Sequence, residues 1–128
     1  MAKSKGKILP NGVVLENHEM ATVVFLTELG YDIELIPPSR IEGLRSPDIR
    51  MLEIAWEIKT PKGSSRWTIE NQFRRAVKQS SHLVFDARRL KMPSGKIIRE
   101  VSKQFYHFKG IKRLMLITKQ GDLVDFEK

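Results

Sequence analysis

Two short apolar runs, Leu83-Val84-Phe85 and Leu114-Met115-Leu116-Ile117, constrain the fold of this chain more than any other feature. Each is too short for a helix and is continuous rather than alternating. That is the pattern of a strand covered on both faces, at the centre of a sheet. Each run also follows a segment with helical spacing. Residues 68–80 put Ile69, Phe73, Ala76 and Val77 on one stripe, with Arg74, Arg75 and Lys78 off it. Residues 94–108 put Ile98, Val101, Phe105 and Phe108 inward and Lys96, Arg99 and Lys103 on the other side, and Gly110 ends the segment. Strands are expected over 82–87 and 114–118. Gln120-Gly121-Asp122 then turns the chain into a short edge strand over 123–126.

The first half carries its own signals. Met20, Val23, Val24, Leu26 and Leu29 predict a helix over 16–29 with Gly30 as its stop. A strand follows from Tyr31 to Ile36 and ends at Pro37-Pro38. The loop over 37–47 holds Ser39, Arg40, Gly43, Arg45 and Ser46, residue types that contact phosphates in some loops and are solvated in others. Strands over 48–51 and 54–60 are separated by Leu52-Glu53, which lacks the Gly, Asn or Pro of a tight turn. The element order predicts a mixed β-sheet flanked by helices on both faces, an α/β fold.

Chemistry concentrates in Ser46-Pro47-Asp48-Ile49 and Glu57-Ile58-Lys59. Side chains two apart on a strand share a face, so Glu57 and Lys59 point one way, with Ala55, and Ile54, Trp56 and Ile58 the other. A hairpin brings Asp48 to the Glu57/Lys59 side. Two carboxylates beside one ammonium suit a hard divalent cation and the activation of water on a phosphodiester. The plain alternative is a solvated strand face with a weak ion pair. Glu19 is out of place on the apolar stripe of its helix, four and seven residues before Val23 and Leu26. It needs a partner or a metal there, unless its place near the helix start lets it reach water and favour the dipole.

Charge is placed unevenly. The 128 residues carry a net +8, yet residues 1–57 are net −3 and residues 58–128 net +11. Residues 88–113 alone hold nine Lys and Arg against one acid, Glu100. An acidic site beside a basic half suggests a polyanionic partner. Residues 1–15 read as a basic N-terminal tail (Lys3, Lys5, Lys7) and residues 16–128 as one domain. The chain has no cysteine, which excludes disulfides and thiolate metal sites. It has no apolar run long enough to cross a membrane as a helix, and its first residues lack the apolar core of a signal peptide. His18, His82 and His107 are far apart and read as surface or packing residues rather than zinc ligands. Trp56 and Trp67 read as packing rather than base-stacking residues.

The order of helix acid, Pro47-Asp48, Glu57-x-Lys59, helix and strand resembles the core of the PD-(D/E)xK nuclease superfamily. The finer pattern adds Asn17-His18-Glu19, Gly30-Tyr31-Asp32-Ile33, Ser46-Pro47-Asp48, Asn71-Gln72-Phe73-Arg74-Arg75-Ala76 and Lys78-Gln79. From about residue 16 to 119 it is similar to the C-terminal nuclease domains of contact-dependent growth inhibition toxins and to small proteins of mobile elements. The resemblance implies a restriction-endonuclease-like fold and Mg²⁺- or Mn²⁺-dependent cleavage of nucleic acid, commonly tRNA. It also implies a cognate immunity protein and action in the cytoplasm, as a delivered toxin domain or a free-standing mobile-element protein. Carried over by residue, Asp48 and Glu57 are direct metal ligands and Glu19 is the helix acid that completes the site. Lys59 orients or activates the attacking water, and Gln72 lies near the scissile phosphate. Arg74, Arg75, Lys78, Arg88, Arg89, Lys96, Arg99 and Lys103 are expected to track the nucleic-acid backbone. A DNA endonuclease of the same superfamily, resolvase- or restriction-like, and a non-catalytic nucleic-acid-binding module are the alternatives.

Overall fold

Both apolar runs lie inside one sheet. The structure, a computed structural model, describes residues 4–41 and 46–128, so Lys3, Gly43 and Arg45 of the loop and tail named above lie outside the described residues. In chain order the elements are β1 (Ile8–Leu9), α1 (Asn17–Glu28), β2 (Ile33–Leu35), β3 (Ile49–Met51), β4 (Ile54–Lys59), α2 (Thr68–Ala76), β5 (His82–Asp86), α3 (Ser94–His107), β6 (Arg113–Ile117) and β7 (Leu123–Glu127). The strands lie side by side in that same order. β4, β5 and β6 run parallel, β2-β3-β4 form an antiparallel meander, and β7 pairs antiparallel with β6. The crossovers through α2 and α3 account for the parallel centre, since parallel neighbours need a long connection.

Alternation along the central strands divides the core in two. Leu83, Phe85, Leu114 and Leu116 pack under α2 and α3 with Phe73, Val101 and Phe105. Val84, Met115 and Ile117 pack under α1 with Val23, Leu26, Trp56 and Ile58. The sheet is therefore covered on both faces, which is why β5 and β6 are apolar between their ends. No helix among the described residues is long and apolar enough to cross a membrane.

Three expectations change. On α3, Ile97 is buried and Ile98 is 39% exposed. Both positions are apolar, so composition leaves the helix phase open; Val101 and Phe105, both fully buried, set it four residues on from Ile97. On α1, Val24 and Leu29 are exposed while Thr22 and Thr27 are buried, so the packed stripe is narrower and partly polar. The basic tail is attached to the sheet from Gly6 onward. The Gly6 N–H bonds Thr27 O at 2.7 Å, and a Cβ at Gly6 would come 1.8 Å from Tyr31 O. Only glycine lets the backbone pass this close. β1 then pairs in parallel with β2, through contacts too few and too local in sequence to show as a periodic pattern.

The turn without glycine is a two-residue hairpin with Leu52 at φ 57° and Glu53 at φ 63°. Two successive left-handed residues make the turn whose twist matches the strands, normally filled by Asn-Gly. Leu and Glu are strained there. Replacing Leu52-Glu53 by Asn-Gly is expected to stabilise the protein by about 1 kcal/mol. The readout is a higher urea midpoint at unchanged m-value. A lower midpoint would mean that the two side chains contribute more than the turn costs.

Candidate active site

The tight hairpin puts Asp48 directly opposite Glu57. The register pairs Ile49 with Trp56, and the Asp48 N–H bonds Trp56 O at 3.0 Å. Asp48 Oδ2 also accepts the Ile58 N–H at 2.8 Å, which locks the carboxylate against β4. Glu57 and Lys59 point to the α2 side of the sheet, opposite Trp56 and Ile58, as the period of two requires. Lys59 Nζ lies 3.1 Å from Glu57 Oε2.

Glu57 is only 3% exposed, and its Oε1 has no hydrogen-bond partner. Burial pushes its carboxyl up to about 8, and the charge of Asp48 adds to this; Lys59 pulls in the other direction. A buried carboxyl with an orphaned oxygen is costly and calls for a cation. The donors are hard oxygens on two carboxylates, which fits Mg²⁺ or Mn²⁺. Among the described residues, no group of three or more His, Asp or Glu side chains is placed to hold a metal. Glu19 therefore stands outside the pair rather than completing a ready trio. It is still within reach of the same field: burial raises its pKa first, then the charge of Asp48.

Glu19 lines a cavity of about 480 Å³ with His18, Lys59, Thr60, Lys62, Thr68, Gln72 and Arg89. Gln72, half-buried, lines this cavity together with Lys59. His18, half-buried, belongs to this wall. Its Nδ1 hydrogen-bonds Thr60 Oγ1, and its Nε2 lies 2.6 Å from Glu16 Oε2. Arg89 Nη1 donates to Thr60 O at 2.9 Å and brings a cation to the cavity. His82 and His107 line neither this cavity nor the cleft described next. No spacing in the sequence marks His18 or Thr60, which lie 42 residues apart. On the other side of Asp48 is a cleft of about 970 Å³, lined by Ile36–Arg40, Ser46, Pro47 and Gln79 among others.

The eight basic residues expected on nucleic acid divide into groups. Arg89 is at the cavity. Arg75 shares the edge of α2 with Gln72 and Thr68, three and seven residues away. Arg74 on its outer side and Lys78 in the turn after it are exposed, Arg74 3.6 Å from Glu70. Lys96, Arg99 and Lys103 are exposed along α3. Arg88 is different. It forks onto the buried Asp86, with Nη2 2.7 Å from Oδ2, and also donates to Ala21 O. Its charge is taken up inside the protein, because the strand end that carries Asp86 must neutralise a carboxylate buried to 3% exposure. Trp56 is fully buried as expected, whereas Trp67 is 53% exposed.

Residues 45–123 match the family model described as the contact-dependent growth inhibition CdiA C-terminal domain. Among solved structures, the chain is similar to the CdiA-CT/CdiI toxin and immunity complex from Burkholderia pseudomallei. The TM-score is 0.68 at 13% sequence identity, and the match covers 96% of this chain and 100% of that chain. At that identity the likeness is one of fold. No curated protein matches the chain.

Proposed function

The chain belongs to the contact-dependent growth inhibition CdiA C-terminal domain family, and we propose that it is a metal-dependent endonuclease with a PD-(D/E)xK, restriction-endonuclease-like core. Its substrate is RNA, tRNA above all. The observation that carries this reading is the buried Glu57 carboxyl, one oxygen unpartnered, facing Asp48 and Lys59. A purely structural site would be expected to fill such a position with an apolar side chain or to satisfy the oxygen.

Asp48 and Glu57 would hold a Mg²⁺ or Mn²⁺ ion. Such an ion supplies Lewis-acid stabilisation at a phosphoryl group and makes water more acidic. Lys59 Nζ orients the attacking water and stabilises the charge that develops at phosphorus. Gln72 and Arg89 line the same cavity as Lys59 and hydrogen-bond phosphate oxygens there. Glu19 faces the cavity from α1 as a third carboxyl, available to water in the site. Arg75 and the exposed cations of α2 and α3 hold the backbone on either side, so binding weakens with salt. In this reading the protein acts in the cytoplasm of a target cell as a delivered toxin domain and is blocked by an immunity protein. The fold neighbour is itself a toxin in complex with its immunity protein.

The test is cleavage of a mixed tRNA pool and of plasmid DNA with Mg²⁺, with Mn²⁺ and with chelator. Lys59→Ala is assayed alongside. Metal-dependent RNA cutting is expected, reduced about a hundredfold or more in the variant. Cutting of DNA alone would keep the site and change the substrate. Salt-sensitive binding with no cutting of either would leave a binding module and remove the catalytic assignment.

A further inference from the structure

The two tryptophans have opposite surroundings. Trp56 is fully buried, its indole N–H bonded to Met51 O at 2.9 Å. Trp67 is 53% exposed at the start of α2. The Arg66 guanidinium lies 4.2 Å from the centre of its ring. Asn71 and Arg74 follow Trp67, the residue that precedes α2, along one face of the helix, Lys78 lies in the turn that leaves it, and all four are exposed. The acid beside this strip, Glu70, is already 3.6 Å from Arg74. Thr68, the next residue after the ring, lines the cavity that holds Lys59 and Gln72. The ring therefore stands at the rim of the site, backed by one cation and in line with two more.

An exposed indole backed by a guanidinium, with cations seven and eleven residues beyond it, matches a nucleobase and its flanking phosphates. A base inside a duplex has both faces stacked on its neighbours and offers none to an indole. An unpaired base does. We propose that Trp67 is a stacking platform for one unpaired base adjacent to the phosphate at Asp48, Glu57 and Lys59, and that it makes the protein select single-stranded or looped nucleic acid. This rests on the nuclease reading of the site. The strand runs from the cavity past Thr68, stacks one base on Trp67 and continues along Arg74 and Lys78.

The test is a fluorescence titration of the full chain, in chelator to prevent turnover, with a short single-stranded RNA and with the same sequence as a duplex. Trp56, in the core, gives a constant background, and Trp67 reports. The single strand is expected to quench the emission. Trp67→Ala is expected to weaken single-strand binding about tenfold and leave duplex binding unchanged. Trp67→Phe, which keeps an aromatic face, is expected to retain most of the affinity and lose the quench. Wild-type affinity in Trp67→Ala, an equal loss for both forms, or no single-strand binding in the wild type would each overturn the proposal. Cleavage of the same RNA with Mg²⁺ is read separately. Trp67-dependent single-strand binding without cleavage would sink the catalytic reading and leave the platform standing. Cleavage that is insensitive to Trp67→Ala, with unchanged binding, would do the reverse.

Discussion

Asp48→Asn is expected to lower cleavage by about a thousandfold or more while leaving the fold at least as stable as before. The amide oxygen of Asn can still accept the Ile58 N–H that Asp48 Oδ2 accepts at 2.8 Å, so the β3–β4 hairpin keeps its lock. What disappears is the negative charge, and with it half of the proposed cation-binding pair. The same charge helps to hold the Glu57 carboxyl up near 8, after burial itself. Its loss relieves that repulsion. Full activity in Asp48→Asn would remove Asp48 from the chemistry.

The coupling also sets a pH dependence. The Glu57 carboxyl stands near 8 in the folded protein, against 4.5 for an ordinary Glu, so the folded state holds a proton that the unfolded chain has released between those values. The contribution to stability is complete below about pH 4.5 and is lost as pH rises through about 8. In chelator, melting temperature should fall across that window, by a loss of stability of up to about 4 kcal/mol. The fall should be shallower in Asp48→Asn. Mg²⁺ should offset it most at the alkaline end, where the ionised pair can bind the cation. An equally steep fall in the variant would mean that burial alone holds the proton.

Asp86→Ala is expected to destabilise the protein by about 2–4 kcal/mol, somewhat below the range for breaking a fully buried ion pair because the Arg88 side chain is 32% exposed. Asp86 is 3% exposed and accepts from the Thr22 hydroxyl at 2.6 Å and from Arg88 N at 3.1 Å, in addition to the guanidinium fork. Removing it takes away the carboxylate that Arg88 forks onto, leaves the buried Thr22 hydroxyl without this acceptor, and frees the end of β5 from α1. Since α1 carries His18 and Glu19, the wall of the cavity loosens with it. Urea unfolding gives the measurement. Asp86→Asn, which keeps two acceptor contacts without the charge, should cost less. A loss below about 1 kcal/mol for Asp86→Ala would place this pair among the exposed ones that contribute little.

Much of the architecture could be read from residue order because it depends on local period and on sign of charge. Continuous apolar runs mark β5 and β6 as the covered middle of the sheet, and alternation along β4 sets Glu57 and Lys59 against Trp56 and Ile58. Gly30, at φ 102°, ends α1 where glycine is expected. Asp48, Glu57, Lys59 and Gln72 reach one region because two of them share a strand face and the others sit one hairpin and one crossover away. Partner choice across the fold was not legible in the same way. The Thr22–Asp86 bond spans 64 residues, and the His18–Thr60 bond 42. No pattern along the chain distinguishes Arg88, neutralised inside, from Arg89 at the cavity, or Trp56 in the core from Trp67 at its rim. Periodicity says which residues share a face, and only packing decides which faces meet. That is why the carboxylate pair was visible in the amino-acid order, whereas the wall that closes around it came from the tertiary structure.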